Sequence, residues 1–283
     1  MTAMTTDPQT STDPLAPDGR LVADAVSLGY GDRTVVDRLS LVVPDGAVTA
    51  VVGANACGKS TLLRGMARLL RPTAGSVLLD GQQIHRAPTR QVARTLGLLP
   101  QAPVTPEGVS VVDLVSRGRH PHLGATRRWS HDDDAAVAEA LALTGTTDLA
   151  DRDVDALSGG QRQRVWVAMA LAQGTDLLLL DEPTTYLDVA HQMELLELLR
   201  DLNEARGTTI VMVLHELNLA ARFADHLVAM CEGRIVAAGD PGDVLTEETV
   251  REVFGLPCRV IPDPVSGTPL VVPLGRSPRK ADR

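Results

Sequence analysis

The most informative residues lie in one short stretch, where an apolar run breaks into a glycine-bracketed loop and then resumes at helical spacing. Gly53 and Gly58 bracket four residues and are followed by Lys59, Ser60 and Thr61, which fills every fixed position of the pattern G-x-x-x-x-G-K-[ST]. An ordinary glycine-rich turn is the alternative, but this loop follows a β-branched run and precedes a leucine-rich segment. We therefore interpret residues 47–63 as a strand, a phosphate-binding loop and a helix. The four bracketed residues are Ala54, Asn55, Ala56 and Cys57.

Each residue type in this loop suits a polyphosphate. Glycines let the backbone turn its N–H groups toward one anion, and a helix that begins near Lys59 adds the positive end of its dipole. The Lys59 ammonium can reach the β and γ phosphates of a nucleotide, and the Ser60 hydroxyl is a hard oxygen ligand for Mg²⁺. We therefore expect the whole segment from Gly53 to Thr61 to bind nucleotide.

Two acids, a histidine and a glutamine come directly after predicted strands. Asp181 and Glu182 follow an apolar run that is typical of a strand buried on both faces. Because neighbouring side chains on a strand point to opposite faces, we expect Asp181 and Glu182 to do different jobs, one holding Mg²⁺ through water and the other polarising the attacking water. His215 follows the next buried strand and could donate a hydrogen bond to a γ-phosphate, although a lone histidine is more often structural. Gln101 ends another strand and could offer its oxygen to the metal.

Two further features suggest nucleotide contacts. Residues 158–161 predict a helix start with Ser158 as the N-cap, and their paired glycines leave helix N–H groups open to a second phosphate. Such a second site is unusual in a chain that already has a phosphate loop. Tyr30 ends an early strand and could stack on an adenine, and a core tyrosine at a strand end is the alternative. The residues of the second phosphate site are Ser158, Gly159, Gly160 and Gln161.

These residues need a sheet that brings them to one edge. Alternating patterns at 21–28 and 39–43 predict antiparallel strands, and apolar runs at 176–180 and 208–214 predict buried ones. The helical predictions include 61–70, 189–206 and 217–223. Between 109 and 149 the sequence reads as helix, basic loop and helix, which indicates a helical insertion. The fold class is therefore α/β.

The basic loop of the insertion carries no recognisable metal-ligand spacing. We expect its basic residues to form a solvated face, and contact with an acidic partner is the alternative. These residues are Arg117, Arg119, Arg127, Arg128, His120, His122 and His131.

Composition limits the remaining possibilities. The 283 residues include only two Phe, two Trp and two Tyr, so the core must be aliphatic, and the net charge of -9 argues against a nucleic-acid partner. No apolar run approaches the roughly 20 residues that cross a bilayer. Residues 1–20 lack the features of a secretion signal and are expected to be a disordered tail, as are the basic residues 276–283. Three scattered cysteines suit a reducing cytoplasm.

Taken together, the chain from about residue 21 to 275 resembles the nucleotide-binding subunit of ABC transporters. Within that superfamily it is most similar to the ATPases of iron-siderophore importers, close to the ferric enterobactin type. The segments SRGRHPHLG, DEPTTYLDVAHQMELLELL, HELNLAARFADHL and DPVSGTPLVVPLG carry this narrower likeness. The broader resemblance rests on Tyr30 as adenine-stacking residue, GANACGKST as Walker A, Gln101 as Q-loop, LSGGQRQR as signature, LLLLDEP as Walker B, TYLD with Asp188 as D-loop and His215 as switch histidine.

The resemblance implies a P-loop NTPase of the ABC type, with a mixed core sheet, an antiparallel β subdomain and a helical subdomain inserted at about 103–160. It implies that two copies face each other head to tail, so that ATP lies between the Walker A loop of one copy and the signature of the other. It further implies Mg²⁺, held by Ser60, Gln101 and Asp181. It also implies that the chain lies peripherally at the cytoplasmic face of the membrane, with integral-membrane permease subunits and, indirectly, a substrate-binding protein as partners. ATPases for haem or cobalamin import, exporter ATPases and soluble ABC ATPases are the alternatives.

The sequence departs from the family pattern at three positions. Ala54 and Ala56 stand where Pro and Gly are commoner, and Glu216 stands where Asp usually follows the histidine. Ala56 matters only if its position needs a left-handed backbone. We expect the loop to remain competent.

Overall fold

A computed structural model describes residues 19–101, 103, 107–123 and 128–275 of the chain. Of the predicted tails at 1–20 and 276–283, residues 1–18 and 276–283 lie outside this range, as does Arg127 of the predicted basic face. Cys57, Cys231 and Cys258 are free thiols.

The described residues form twelve strands and nine α-helices. The strands are β1 Leu21–Tyr30, β2 Arg33–Val43, β3 Val48–Gly53, β4 Ala74–Leu79, β5 Gln82–Gln83, β6 Leu96–Leu99, β7 Leu177–Asp181, β8 Thr209–Val213, β9 His226–Cys231, β10 Arg234–Gly239, β11 Cys258–Pro262 and β12 Pro269–Pro273. The helices are α1 Lys59–Met66, α2 Thr89–Thr95, α3 Val111–Ser116, α4 His131–Leu143, α5 Gly159–Ala172, α6 Val189–Arg206, α7 Leu217–Phe223, α8 Pro241–Val244 and α9 Glu247–Phe254.

The central sheet has six strands in the order β10-β9-β3-β8-β7-β6. All of its neighbouring pairs are parallel except β9 with β10. Strands β3, β7 and β8 are buried along their whole length, as their continuous apolar sequences predict. Their carboxyl ends meet at one edge, where Asp181 pairs in register with Val213 and Val213 with Val51. This edge therefore brings the phosphate loop beside the acids and the histidine.

A second sheet, in the order β2-β1-β4-β5, is antiparallel throughout. The α1 helix packs between the two sheets, and its Leu62, Leu63 and Met66 side chains are almost completely buried. Burying each of them contributes about 1.5–3 kcal/mol. The helix is shorter than the predicted 61–70, because Arg68 adopts a left-handed φ of 64° that stops helical pairing. This packing fixes the helix whose first residue is Lys59.

Helices α3, α4 and α5 pack on one another around Leu114, Val137 and Trp166. The helix, loop and helix predicted for 109–149 are thus present as α3, the described part of the loop and α4. The prediction of a wholly solvated basic face is wrong for Arg119, whose side chain is only 12% exposed and pairs with Asp133 at 2.9 Å. It is also wrong for His122, whose Nε2 lies 2.7 Å from the Gln173 carbonyl oxygen.

Two elements were not predicted. Helix α2 is short and polar, with Val92 as its one buried residue, so its sequence has little apolar periodicity. The β11–β12 hairpin is held to α7 by Asn218, whose side chain both donates to and accepts from the Val271 backbone. Within the described ranges, no helix is both long and apolar enough to span a membrane.

Candidate active site

The loop between β3 and α1 packs tightly against the neighbouring strand, as its glycines predict. A Cβ at Gly53 would lie 2.3 Å from the Met230 carbonyl oxygen of the neighbouring strand, so only glycine fits there. Ala56 has a φ of 61°, which is left-handed. That conformation costs a non-glycine residue about 1–2 kcal/mol. The departure at Ala56 therefore places an alanine where glycine would be relaxed.

Lys59 is the first residue of α1 and is only 5% exposed. Its ammonium donates to the carbonyl oxygens of Gly53 at 2.9 Å and Ala54 at 3.0 Å. Across the described chain it has no ion pair with a carboxylate, and a buried cation without a counter-ion is costly. The charge, the depth and the adjacent helix N-terminus together suit a bound polyphosphate.

Ser60 and Asp181 meet at the base of this loop. The Ser60 hydroxyl donates to Asp181 Oδ1 at 2.9 Å, and Asp181 is only 2% exposed. Burial raises the pKa of the Asp181 carboxyl, and the hydrogen bond from Ser60 opposes this effect. Among the described residues, no group of three or more His, Cys, Asp or Glu side chains is placed to hold a metal ion by itself. Two oxygen ligands completed by substrate phosphates and water suit Mg²⁺, which is rarely enclosed by protein alone.

Glu182 lies beside Asp181 but not in a continuing strand. Its φ is 56°, so the alternation of side chains along a strand, on which the prediction relied, does not apply to it. Its carboxylate lies 2.7 Å from His215 Nε2 and accepts a hydrogen bond from the Thr185 hydroxyl at 3.2 Å. Burial acts to raise the Glu182 pKa, but hydrogen bonds from His215 and Gln101 outweigh it and lower the pKa below its ordinary value. The two acids therefore lie in different environments because Glu182 leaves the strand with a left-handed φ, and not because side chains alternate along a strand.

Most of these residues line one cavity of about 750 Å³. The predicted residues Gly53, Ala54, Cys57 and Asp181 do not line it; the Cys57 side chain is buried. Arg33 and Val35 line the cavity and were not predicted, since nothing in the β2 sequence distinguishes them from ordinary strand residues. The lining residues are Tyr30, Arg33, Val35, Asn55, Ala56, Gly58, Lys59, Ser60, Thr61, Gln101, Glu182 and His215.

Tyr30 lies at the rim of this cavity. Its side chain is among the exposed large apolar residues, with 47% of its surface accessible, so it is not a core tyrosine. Its hydroxyl oxygen accepts a hydrogen bond from the Arg64 guanidinium at 3.2 Å. An exposed, held aromatic ring beside a phosphate loop is available for stacking on a base.

The second predicted phosphate site lies elsewhere on the chain. Ser158 caps α5 through a reciprocal pair of hydrogen bonds with Gln161, as predicted for the N-cap. The Gln163 side chain donates to the Pro183 carbonyl oxygen at 2.9 Å, which joins α5 to the turn after Glu182. This site lines a separate cavity of about 630 Å³ that shares no residue with the first. Its lining residues are Ser158, Gly159, Gly160, Gln161, Arg164, Tyr186, Leu187, Asp188 and His191.

The fold and the nucleotide-type loop define a P-loop ATPase, and comparison with known proteins gives the family. The ABC transporter family matches residues 36–185, which is more than half of the chain. The chain belongs to the ABC transporter family and is an ATPase of the ATP-binding subunit type.

Individual relatives agree with this assignment. The chain is 53% identical to the ferric enterobactin transport ATP-binding protein FepC of Escherichia coli strain K12, over 91% of this chain and 95% of that protein. It is similar to a solved metal-chelate type ABC transporter in an inward-facing conformation, with a TM-score of 0.77, 30% identity and coverage of 91% and 98% of the two chains. It is also similar to a dimeric structure of MJ0796, a bacterial ABC transporter cassette, with a TM-score of 0.71, 26% identity and coverage of 78% and 98%.

Proposed function

We propose that this chain is the ATP-hydrolysing subunit of an importer of iron-siderophore complexes. FepC is a ferric enterobactin transport ATP-binding protein and the similar solved transporter is of the metal-chelate type, and both support this cargo class. In this proposal the subunit lies at the cytoplasmic face of the membrane and works with a separate membrane permease and, indirectly, with a substrate-binding protein. An importer for haem or cobalamin is the second candidate for the cargo, because the ATPase does not itself touch what is transported.

One observation carries the proposed ATPase mechanism: the buried Lys59, the Ser60–Asp181 pair and the Glu182–His215 pair lie together at one edge of the central sheet. In this mechanism Lys59 exchanges its two loop carbonyls for the β and γ phosphates of ATP, with help from loop N–H groups. Tyr30 stacks on the adenine. The other loop residues in the proposed phosphate site are Gly53, Ala54, Asn55, Ala56, Cys57, Gly58 and Thr61.

Three oxygen-bearing side chains are proposed to hold Mg²⁺. Ser60 and Gln101 supply ligands, and Asp181 orients the water shell. Mg²⁺ would neutralise charge on the transferred phosphoryl group. The short Ser60–Asp181 contact fits this assignment, because it keeps both oxygens at the end of strand β7.

Glu182 is proposed to be the general base that takes a proton from the attacking water. Its hydrogen bonds to His215 and Thr185 fix the carboxylate at the cavity wall. His215 in turn steadies the γ-phosphate. The carboxylate and the imidazole thus act as a pair, with the ring orienting the base.

A second copy of the chain completes the site. The first cavity of the chain contains no residue of 158–161 or Asp188, and these line a cavity of their own. In a head-to-tail dimer the Ser158, Gly159, Gly160, Gln161 and Asp188 cavity of one copy would cover ATP held by the other. The solved cassette MJ0796, to which the chain is similar, is dimeric, and this supports the pairing of two copies.

The proposed domain organisation follows from the same mechanism. Residues 21–275 form the ATPase domain, and about 103–160 form an inserted helical subdomain. This subdomain, with Gln101 at its entry, would relay dimer closure to the permease. The termini at 1–20 and 276–283 are proposed to be flexible tails.

Substitution Glu182→Gln tests the ATPase assignment. A positioned general base contributes about 100- to 10,000-fold in rate. We expect the variant to bind ATP normally, to lose turnover by a factor in this range and to accumulate as an ATP-bound dimer. Steady-state phosphate release and size-exclusion chromatography with ATP measure both effects, and normal hydrolysis by the variant would remove Glu182 from this role.

A separate assay tests the cargo. Iron-limited cells that carry the wild-type chain and its permease should take up labelled ferric siderophore, whereas cells that carry Glu182→Gln should not. Uptake of labelled haem or cobalamin in place of the siderophore would favour the second candidate.

A further inference from the structure

Helix α6 begins with two side chains in contact. Asp188 is its N-cap, and Asp188 Oδ1 accepts the His191 backbone N–H at 3.0 Å. The same oxygen lies 2.8 Å from His191 Nδ1. Because a carboxylate only accepts, Nδ1 carries the hydrogen. A helix cap needs only the backbone hydrogen bond. The contact from the His191 ring is therefore an additional restraint on the Asp188 carboxylate.

The pair lies on the wall of the 630 Å³ cavity that contains Ser158 and Gly160. The His191 ring also borders a second cavity of about 290 Å³, between the end of α4 and the side of α6. The Asp188 side chain is 67% exposed and that of His191 is 39% exposed. In the described chain, no side chain other than His191 hydrogen-bonds to the Asp188 carboxylate.

The backbone around Asp188 is already held from both sides. The Gln163 side chain donates to the Pro183 carbonyl oxygen, and the Gln192 side chain donates to the Leu187 carbonyl oxygen at 3.1 Å. Signature residue Gly160 lies against this segment, since a Cβ placed on it would be 3.4 Å from Leu187 Cδ2. The remaining freedom is rotation of the exposed Asp188 side chain, and the His191 ring restricts that rotation.

We propose that His191 is a positioning residue that fixes the Asp188 carboxylate in the cavity of Ser158 and Gly160. The proposal rests on the proposed function, in which this cavity closes over ATP bound to a second copy. Without the ring, the cap to the His191 backbone N–H still holds Oδ1, but the carboxylate can rotate about that single hydrogen bond and its second oxygen loses a fixed position. Misplacing a site group by about 1 Å can cost as much as 100-fold in rate.

Three substitutions distinguish the effect of the Nδ1 hydrogen bond from the effect of the ring's volume. In His191→Asn the amide nitrogen takes the place of Nδ1, in His191→Gln it takes the place of Nε2, and His191→Ala has neither. We expect kcat for ATP hydrolysis by the full chain to fall about tenfold in the Ala and Gln variants, with KM for ATP within twofold of wild type. The Asn variant should keep at least half of the wild-type kcat. Wild-type kcat in the Ala variant, or equal kcat in Asn and Gln, would overturn the proposal.

A double substitution tests whether His191 acts through Asp188. Asp188→Ser removes the carboxylate and keeps a residue that caps helices well. If His191 acts only on that carboxylate, adding His191→Ala to Asp188→Ser leaves kcat unchanged, and a further tenfold loss contradicts this route. Thermal unfolding of each variant identifies any that is simply unfolded, and the Asn variant then decides.

The Glu182→Gln variant distinguishes failure of the proposed ATPase function from failure of the proposed role of His191. If that variant hydrolyses ATP normally, the proposed function fails whatever the His191 variants do. If it is inactive while His191→Ala has wild-type kcat, only the role of His191 is lost.

Discussion

The buried pair of Arg119 and Asp133 joins the loop after α3 to the first turn of α4. Arg119 Nε lies 2.9 Å from Asp133 Oδ1, and the two side chains are 12% and 7% exposed. Arg119 also donates to the Ala172 carbonyl oxygen at the end of α5, and Asp133 accepts from the Ser130 hydroxyl. The pair therefore ties the turn after α3 to both α4 and the end of α5.

Substitution Asp133→Asn keeps the shape of the side chain and removes its charge, which leaves the Arg119 guanidinium buried without a counter-ion. Breaking such a pair costs about 3–5 kcal/mol. A loss of this size is a large share of the roughly 5–15 kcal/mol that holds a domain folded. It corresponds to a fall in Tm of about 6–20 °C for a chain of this size.

Urea unfolding at pH 7 measures the loss directly, and Asp132→Asn is the matched control. Asp132 is the adjacent, exposed acid in the same helical turn. We expect the control to lose only about 0.3–1 kcal/mol, from its weaker interaction with the helix dipole. If Asp133→Asn unfolds no more easily than Asp132→Asn, the energetic role of the pair is refuted.

The same pair gives a pH dependence with a defined sign. The Ser130 hydrogen bond, opposed by burial and assisted by Arg119, lowers the Asp133 pKa in the folded chain. A lowered folded-state pKa gives stability that is complete above the unfolded value of about 4 and is lost as pH falls through the folded value. The difference in unfolding free energy between wild type and Asp133→Asn should therefore be constant from pH 8 to about 5 and narrow below about pH 4.

Three other perturbations test the nucleotide site. Lys59→Ala should weaken ATP binding in a titration with labelled nucleotide, and unchanged affinity would contradict the phosphate role of that buried ammonium. Tyr30→Ala should raise the Kd for ATP by about 5- to 150-fold, because stacking on a base is worth about 1–3 kcal/mol, whereas Tyr30→Phe should stay within a few-fold of wild type. Gly53→Ala should lower thermal stability, since its Cβ would lie 2.3 Å from the Met230 carbonyl oxygen, and a Tm equal to that of wild type would show that the strands can separate there.

The sequence predicts those parts of the fold that local chemistry determines. Helix α6 was predicted at its observed bounds, because Asp188 is a strong N-cap and Gly207 ends the helix with a left-handed φ of 65°. The buried strands β7 and β8 were predicted within one or two residues from their apolar runs. The order of the strands at one sheet edge then explains why Lys59, Asp181 and His215 lie together.

Contacts between residues that are far apart in the sequence could not be predicted from local sequence patterns. The ring of His215 meets Glu182 because strands β7 and β8 are neighbours, and because Glu182 leaves the strand with a left-handed φ. Arg119 looks like any other charge in a basic loop, and only the packing of α4 and α5 buries it. Arg33 and Val35 line the cavity because the tertiary fold sets β2 beside the phosphate loop, which the sequence of β2 does not indicate.

The amide of Gln163 has a consequence for an assembly of two copies. It joins the helix that would cover a neighbour's ATP to the turn after Glu182, the proposed water-activating acid of its own copy. A helix that shifts on meeting the partner's nucleotide would also shift this turn. We therefore expect hydrolysis at one active site of the dimer to depend on the nucleotide bound at the other.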